Sequence, residues 1–265
     1  MYDLTITIIA YHNYSDILKA VKSIETYTSA NITKKIYIVD NSVYKKDNTI
    51  QCKFEKKLSK YADVELIKNK KNVGFGKGHN IVLDKIDSKY HAIVNPDILL
   101  QEDSFSAIIK YMEEQQEMGQ EVGMVIPRLI DEHGELLKVY RRELTVADLF
   151  IRMFLSKWFQ KRQAYHTMQN KNYKKEFQVP FGQGSFLVIR TALFKQLKGF
   201  DDRYFMYMED ADLCKRVNQV SKFMYFPNTS VIHKWERGSH KNIKLFQYHI
   251  QSMIRYFNKW GWKWL

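Results

Sequence analysis

The sequence predicts an α/β protein built on a mostly parallel central sheet with helices on both faces. Three observations carry that prediction. Apolar runs of strand length alternate with stretches of helical spacing through the first half of the chain, as in strand–helix–strand units. Strands that are apolar throughout need cover on both faces. Three of the runs also stop on polar clusters, Tyr11-His12-Asn13, Asp40-Asn41-Ser42 and Asn95-Pro96-Asp97. Sheets of this kind bind ligands at the carboxyl ends of their strands.

In chain order, strands are expected at 4–10, 35–39, 64–67, 92–94 and 123–126. Helical spacing occupies 15–26, 75–83 and 103–117, with Ser15 and Asp103 as caps. Pro127 leads into a less regular region. Thr145 then caps a helix, with Asp148 three residues on in the manner of a capping box. Val146, Leu149, Phe150, Met153, Phe154 and Trp158 fall on one side of that helix. Arg152, Lys157, Lys161 and Arg162 are among the rest, so it reads as amphipathic and basic. A second α/β-like portion follows, with strands at 186–189 and 223–226 around helices at 192–197 and 210–220. A helix from 243 to about 260 and the tail KWGWKWL close the chain. The expected organisation is one domain over 1–235 with a basic helical insert at about 141–178, then a basic aromatic helical segment at 236–265.

Apolar residues are 45% of the 265, enough for a substantial core, which excludes global disorder. Cys52 and Cys214 stand far apart in no metal-type spacing, as in a reduced, cytosolic chain. The opening MYDLTITIIAY carries Asp3 and no basic leader, so it reads as a strand and not as a secretion signal. No apolar run reaches the roughly 18 residues of a membrane span. The formal charge of +13 is localised: nine Lys/Arg face three acids over 141–176, and seven face Glu236 alone from Lys234 onward. That basicity lies outside the motif-bearing region, and no nucleic-acid motif accompanies it, so nucleic-acid binding is not expected.

Four motifs carry chemistry. NKKNVGFGKGHN (69–80) places glycines at 74, 76 and 78 between a strand and a helix, where backbone approaches a phosphate closely or simply turns. Its spacing and its place after the third strand exclude a dinucleotide fingerprint. IVDNS (38–42) ends a strand on Asp40, a partner for a nucleobase or ribose or else a turn former. FMYMEDADLCKRV (205–217) opens a helix with Glu209, Asp210 and Asp212. These acids either suit the helix dipole or include a general base. His233 is either structural or, with Asp97, half of an O/N site for Mg²⁺ or Mn²⁺.

In order, Val39–Ser42, Asn72–Asn80, Asn95-Pro96-Asp97, Gly182–Arg190, Gly199–Arg216 and His233 resemble the inverting family 2 glycosyltransferases, in particular the bacterial rhamnosyltransferases. The resemblance implies a GT-A fold, a nucleoside-diphosphate-sugar donor (dTDP-L-rhamnose, or a UDP-sugar) and inversion at the anomeric carbon. Under it Asp210 is the catalytic base, and Asp97 and His233 hold Mg²⁺ or Mn²⁺. Donor contacts fall on Ala10, Tyr11, Asp40 and Asn41, on Asn72, Gly74, Phe75, Gly76 and Asn80, on Asn95 and Pro96, and on Gly184 and Arg190. Tyr207, Glu209 and Asp212 lie on the acceptor side. Many family members have Asp-x-Asp where this chain has Asn-Pro-Asp.

The two basic aromatic patches suit an anionic membrane surface, with Trp260, Trp262 and Trp264 at headgroup level. The expected acceptor is therefore a lipid-linked or polysaccharide glycan at the inner face of the cell membrane. The competing account packs both helices on the catalytic domain or in a homodimer.

Overall fold

The computed structural model describes residues 1–43, 49–234 and 243–265. Its elements in order are β1 (Tyr2–Ala10), α1 (Tyr14–Tyr27), β2 (Lys34–Asp40), α2 (Thr49–Leu58), β3 (Val64–Lys68), α3 (Phe75–Asn80), β4 (Ser88–Val94) and β5 (Ile98–Leu100). Next come α4 (Ser104–Glu117), β6 (Val122–Ile130), β7 (Tyr140–Arg141), α5 (Val146–Phe150) and a π-helical turn (Ile151–Leu155). The rest are α6 (Gln160–His166), β8 (Phe177–Gln178), β9 (Phe181–Gly182), β10 (Phe186–Arg190), α7 (Thr191–Gln196), α8 (Glu209–Val220), β11 (Lys222–His233) and α9 (Ile243–Trp260).

Nine strands form one mixed sheet in the order β3-β2-β1-β4-β10-β6-β11-β5, with β8 pairing off β11. β1 through β4 are mutually parallel, and β11 runs parallel to β6. β10 is inserted antiparallel between β4 and β6. The fully buried side chains of β1, β2, β4 and β10, among them Ile6, Ile38, Ile93 and Val188, form the core. The sheet is thus the expected one, mostly parallel and covered by helices.

Several local expectations are corrected. α1 begins at Tyr14 and not at Ser15, because Asn13 occupies the cap position and its side chain turns back to accept from Tyr11 N at 2.9 Å. Asp103 does cap α4, accepting from Ser106 N at 3.1 Å. The single amphipathic helix expected from Thr145 is instead α5, the π turn and α6. Thr145 caps α5 as expected, but α5 also receives tail carbonyls: Val146 N and Ala147 N donate to Lys263 O and Trp264 O at 2.8 and 3.1 Å. β5 and α2 were not anticipated. β11 is one long strand where only its first residues were expected, because a register shift between Phe226 and Ser230 interrupts its pattern.

α9 packs on the body. Ser252, Tyr256 and Phe257 are buried, and Ser252 Oγ donates to Met206 O at 2.8 Å. Trp260 Nε1 donates to Asp212 at 2.8 Å. Trp260 therefore points inward, while Trp262 and Trp264 are exposed. The polar loop expected after His233, with the nominal boundary at 236, lies outside the described residues.

Candidate active site

The parallel strands all end on one edge of the sheet, and antiparallel β10 begins there. Around this edge lies a cavity of about 700 Å³ lined from Ile9, Tyr11, Asn41, Asn72, Gly74, Asn95, Asp97, Gly184, Asp210 and His233, among others. That volume is within the range of small-molecule sites, about 300–1,000 Å³. Seven buried polar atoms of its lining have no protein partner among the described residues: Asn95 Oδ1, Asp97 Oδ1, Arg141 Nε, Gln183 Oε1, Ser185 Oγ, Glu209 Oε2 and His233 Nδ1. Buried polar atoms are normally satisfied, so their concentration in one cavity marks a place built for a polar ligand.

Asp97 meets His233 through backbone pairing. After β4 the chain turns at Asn95-Pro96-Asp97 and re-enters the sheet as β5, which pairs antiparallel with β11 so that His233 lies opposite Ile98. Lys234 N then donates to Asp97 O at 3.1 Å, and His233 Nε2 stands 3.2 Å from Asp97 Oδ2. Among the described residues there is no group of three or more side chains able to hold a metal. A divalent ion on a diphosphate needs only one or two protein ligands and keeps the rest for water and phosphate. A carboxylate with an unpartnered buried Oδ1 beside a buried imidazole fits that requirement.

Asp210 sits in the first turn of α8, where backbone amides hold both its oxygens. Oδ2 accepts from Gly184 N at 3.1 Å and Oδ1 from Ala211 N at 2.8 Å. Gly184 has to be glycine for this approach, since a Cβ would lie 2.9 Å from Asp210 Cβ. Burial raises the Asp210 carboxyl above its usual range, while those two amides and the cations Arg141 and Arg152 pull it back down. Glu209, 5% exposed, is raised by burial and then by Asp210 beside it. Tyr207 and Met208, at φ 69° and 66°, take the left-handed conformation immediately before α8, a strain of about 1–3 kcal/mol each that clusters at functional sites.

Gly74, at φ 90°, brings the glycine loop against the 205 segment, with Phe75 N donating to Phe205 O at 3.0 Å. Asn72 Oδ1 accepts from Gly74 N at 2.9 Å, and Asn41 Nδ2 donates to Gly74 O at 2.9 Å. Phe75, Pro96 and Tyr207 also line the cavity.

The remaining expected residues do not line it. Ala10 is a fully buried core residue of β1. Asp40 accepts from Tyr14 Oη at 2.6 Å, Ser42 N at 2.9 Å and Gln51 Nε2 at 3.3 Å. Gly76 packs against Phe200, where a Cβ would come within 2.9 Å. Asn80 is tied to Phe200 and Asp202. Arg190 lies at the far end of β10, opposite Tyr90, and donates to Val122 O and Met112 O. Asp212 is fully buried on the other side of α8, bound by Arg216, Lys259 and Trp260.

Sequence reasoning missed one wall altogether. Arg141, Leu149, Arg152 and Met153 line the cavity from the 141–155 region, and Leu245, Phe246 and His249 line it from α9. Burial pushes the Arg141 guanidinium down to about 9, with Arg152 adding to that and Asp210 opposing it. The local excess of positive charge was the available signal, but charge alone does not say which cations turn inward.

Residues 3–253 match the family model described as glycosyltransferase like family 2. The chain belongs to that family. Among curated relatives of this family 2 chain is the rhamnosyltransferase WbbL of Escherichia coli (strain K12), 27% identical over 94% of this chain and 90% of that one. Another is the N-acetylglucosaminyl-diphospho-decaprenol L-rhamnosyltransferase of Mycobacterium tuberculosis, 25% identical over 66% of this chain and 60% of its own length. Among solved structures, that of GalNAc-T7 with UDP, GalNAc and Mn²⁺ superposes with a TM-score of 0.65 at 14% identity, covering 91% of this chain and 45% of that one. The family 2 chain is a glycosyltransferase of GT-A fold.

Proposed function

We propose that the protein is an inverting, divalent-metal-assisted transferase that moves L-rhamnose from dTDP-L-rhamnose to a hydroxyl of a lipid-linked acceptor in bacterial cell-surface glycan synthesis. One observation carries the reading: a carboxylate–imidazole pair and a second, amide-fixed carboxylate line a single cavity of nucleotide-sugar size. The names of the two curated relatives support rhamnose as the sugar, and that of the mycobacterial one supports a lipid diphosphate acceptor. The GalNAc-T7 structure, solved with UDP and Mn²⁺, supports a divalent metal and a nucleotide donor.

Asp97 and His233 would hold Mg²⁺ or Mn²⁺, which when bound supplies positive charge against the diphosphate of the departing nucleotide. The glycine loop and Asn41 shape the donor arm. Asp210 takes the proton from an acceptor hydroxyl, whose oxygen attacks the anomeric carbon from the face opposite the nucleotide. The bond from that carbon to the phosphate oxygen breaks, and its electron pair leaves with the nucleoside diphosphate. The amides of Gly184 and Ala211 aim the base.

The test is a panel of dTDP-L-rhamnose, UDP-glucose, UDP-galactose and UDP-N-acetylglucosamine, scored for sugar release with and without chelator. Chelator-sensitive release from dTDP-L-rhamnose is expected. Release from a UDP-sugar alone would replace the donor, and release unaffected by chelator would remove the metal.

No described helix is long and apolar enough to cross a membrane. Phe150, Phe154 and Trp158 are nevertheless 53, 57 and 82% exposed on the basic insert, a composition suited to an anionic bilayer surface. Salt-sensitive co-sedimentation with anionic vesicles is expected; its absence would remove the membrane from the reading.

A further inference from the structure

The wall that sequence reasoning missed combines two features that neither the donor nor the base requires: a pair of guanidinium groups and a strip of apolar side chains. Arg141 is held rigidly. Tyr140 beside it is fully buried, donating to Pro127 O at 2.6 Å and accepting from Leu129 N at 2.9 Å. Arg141 itself pairs with Phe181 in the two-stranded ladder, and its guanidinium lies 5.2 Å from the centre of that ring. It is 8% exposed, lines the cavity, and leaves Nε without a partner. Arg152 is presented by the π turn, a distortion frequent at functional sites. Its Nη2 lies 3.4 Å from His249 Nε2.

Two nearby cations inside a cavity repel each other and call for anionic charge. Among the described residues, the carboxylate that acts on both is Asp210, and its oxygens already accept from Gly184 N and Ala211 N. One carboxylate cannot balance two guanidiniums, and a diphosphate supplies the missing charge in a geometry that guanidinium forks match. Both cations act on Asp210, the base, so they stand near the place the acceptor hydroxyl must reach.

The apolar strip gives the anion a direction. Leu149, Met153, Leu245 and Phe246 line the same cavity. Phe246 meets Phe154 edge-on at 6.5 Å, and Phe154 meets Phe150 at 5.1 Å. All three rings are more than two-fifths exposed, so an apolar path leads from the cavity to the basic aromatic surface.

We propose that Arg141 and Arg152 form a subsite for the diphosphate of an amphiphilic acceptor, whose hydrocarbon chain leaves the cavity over Met153, Phe246 and Phe154. The proposal rests on the glycosyl-transfer reading above and adds how the acceptor is recognised: its reactive hydroxyl reaches Asp210 while its phosphates, about one sugar ring away, sit on the two arginines.

The probes are farnesyl diphosphate, farnesol and inorganic diphosphate, titrated calorimetrically into protein already saturated with dTDP and Mn²⁺. Farnesyl diphosphate is expected to bind this loaded protein and farnesol not to. R152Q and R141Q each weaken farnesyl diphosphate at least about tenfold, the loss expected when a charged hydrogen-bond partner is removed. R141K, which retains the charge of the buried position, recovers part of the loss. Phe246→Ala weakens farnesyl diphosphate but leaves inorganic diphosphate unchanged. Two results would overturn the subsite: dTDP displacing farnesyl diphosphate from the parent protein, which places the probe in the donor arm, or R152Q binding it like the parent while retaining dTDP. If no nucleotide binds at all, glycosyl transfer fails as a reading. Arginine-dependent binding of farnesyl diphosphate would still stand as evidence for the subsite.

Discussion

Asp210→Asn removes a proton-accepting oxygen while leaving the cavity nearly the same size, so it separates chemistry from binding. Transfer is expected to fall by about 10²–10⁴, the usual contribution of a general base, with nucleotide affinity kept; retained turnover in a sugar-release assay would take Asp210 out of that role. The acid limb of the pH–kcat profile should lie above the ordinary Asp value of about 3.9, because burial raises this carboxyl. Arg141 and Arg152 hold it down, so R152Q should move that limb to higher pH; a limb that stays or moves lower contradicts the electrostatics. Gly74→Ala would place a Cβ 2.1 Å from Phe205 O at φ 90°, and both nucleotide affinity and thermal stability should drop. At this scale the sequence placed Asp97, Asp210 and His233 in a turn after a strand, at a helix start and at a strand end, and all three line the cavity. Asp40, Asn80, Arg190 and Asp212 were misplaced for one physical reason: residue type does not reveal where a side chain's hydrogen bonds go, and theirs go to internal partners.

The elements that build the second wall depend on the tail. α5 starts with Thr145 as its cap and the carbonyls of Lys263 and Trp264 as acceptors, which satisfy amides that a helix start leaves open. Thr145→Ala should cost about 1 kcal/mol. Removing residues 262–265 should lower the melting temperature and also weaken acceptor binding, because Arg152 lies one turn further on; an unchanged melting temperature would mean that these carbonyl contacts do not form. β1, β2, β4 and α9 were readable from unbroken apolar or helical periodicity. β5 was not, being three residues long and recognisable only through its pairing with β11. Nor was the π turn, since a helical repeat in side-chain type continues through a local change of hydrogen-bond register.

Across the whole molecule, buried histidines set the response to acid. His79 and His91 are fully buried. Burial lowers His91 to about 3 and His79 well below its ordinary value. Below the unfolded value of about 6.5 only the unfolded chain takes up these protons, so each histidine removes up to about 1.4 kcal/mol per pH unit as pH falls from there toward the folded value. Urea unfolding at pH 7 and pH 5 should show that loss, and His79→Phe, which removes a ring with both nitrogens unpartnered, should reduce it. The overall sheet was legible from alternating periodicities, whereas the closure of the cavity by α9 required knowing which face of a distant helix packs inward. The central claim is that one cavity divides its work between two carboxylates, Asp97 for the donor and Asp210 for the acceptor. Calorimetric titration of dTDP in the presence of Mn²⁺ tests it on Asp97→Asn and Asp210→Asn side by side. Binding is predicted to weaken at least about tenfold in the first, as expected for loss of a metal-ligating group, and to stay at the parental value in the second. Parental binding by Asp97→Asn, or equal losses in both, would contradict it.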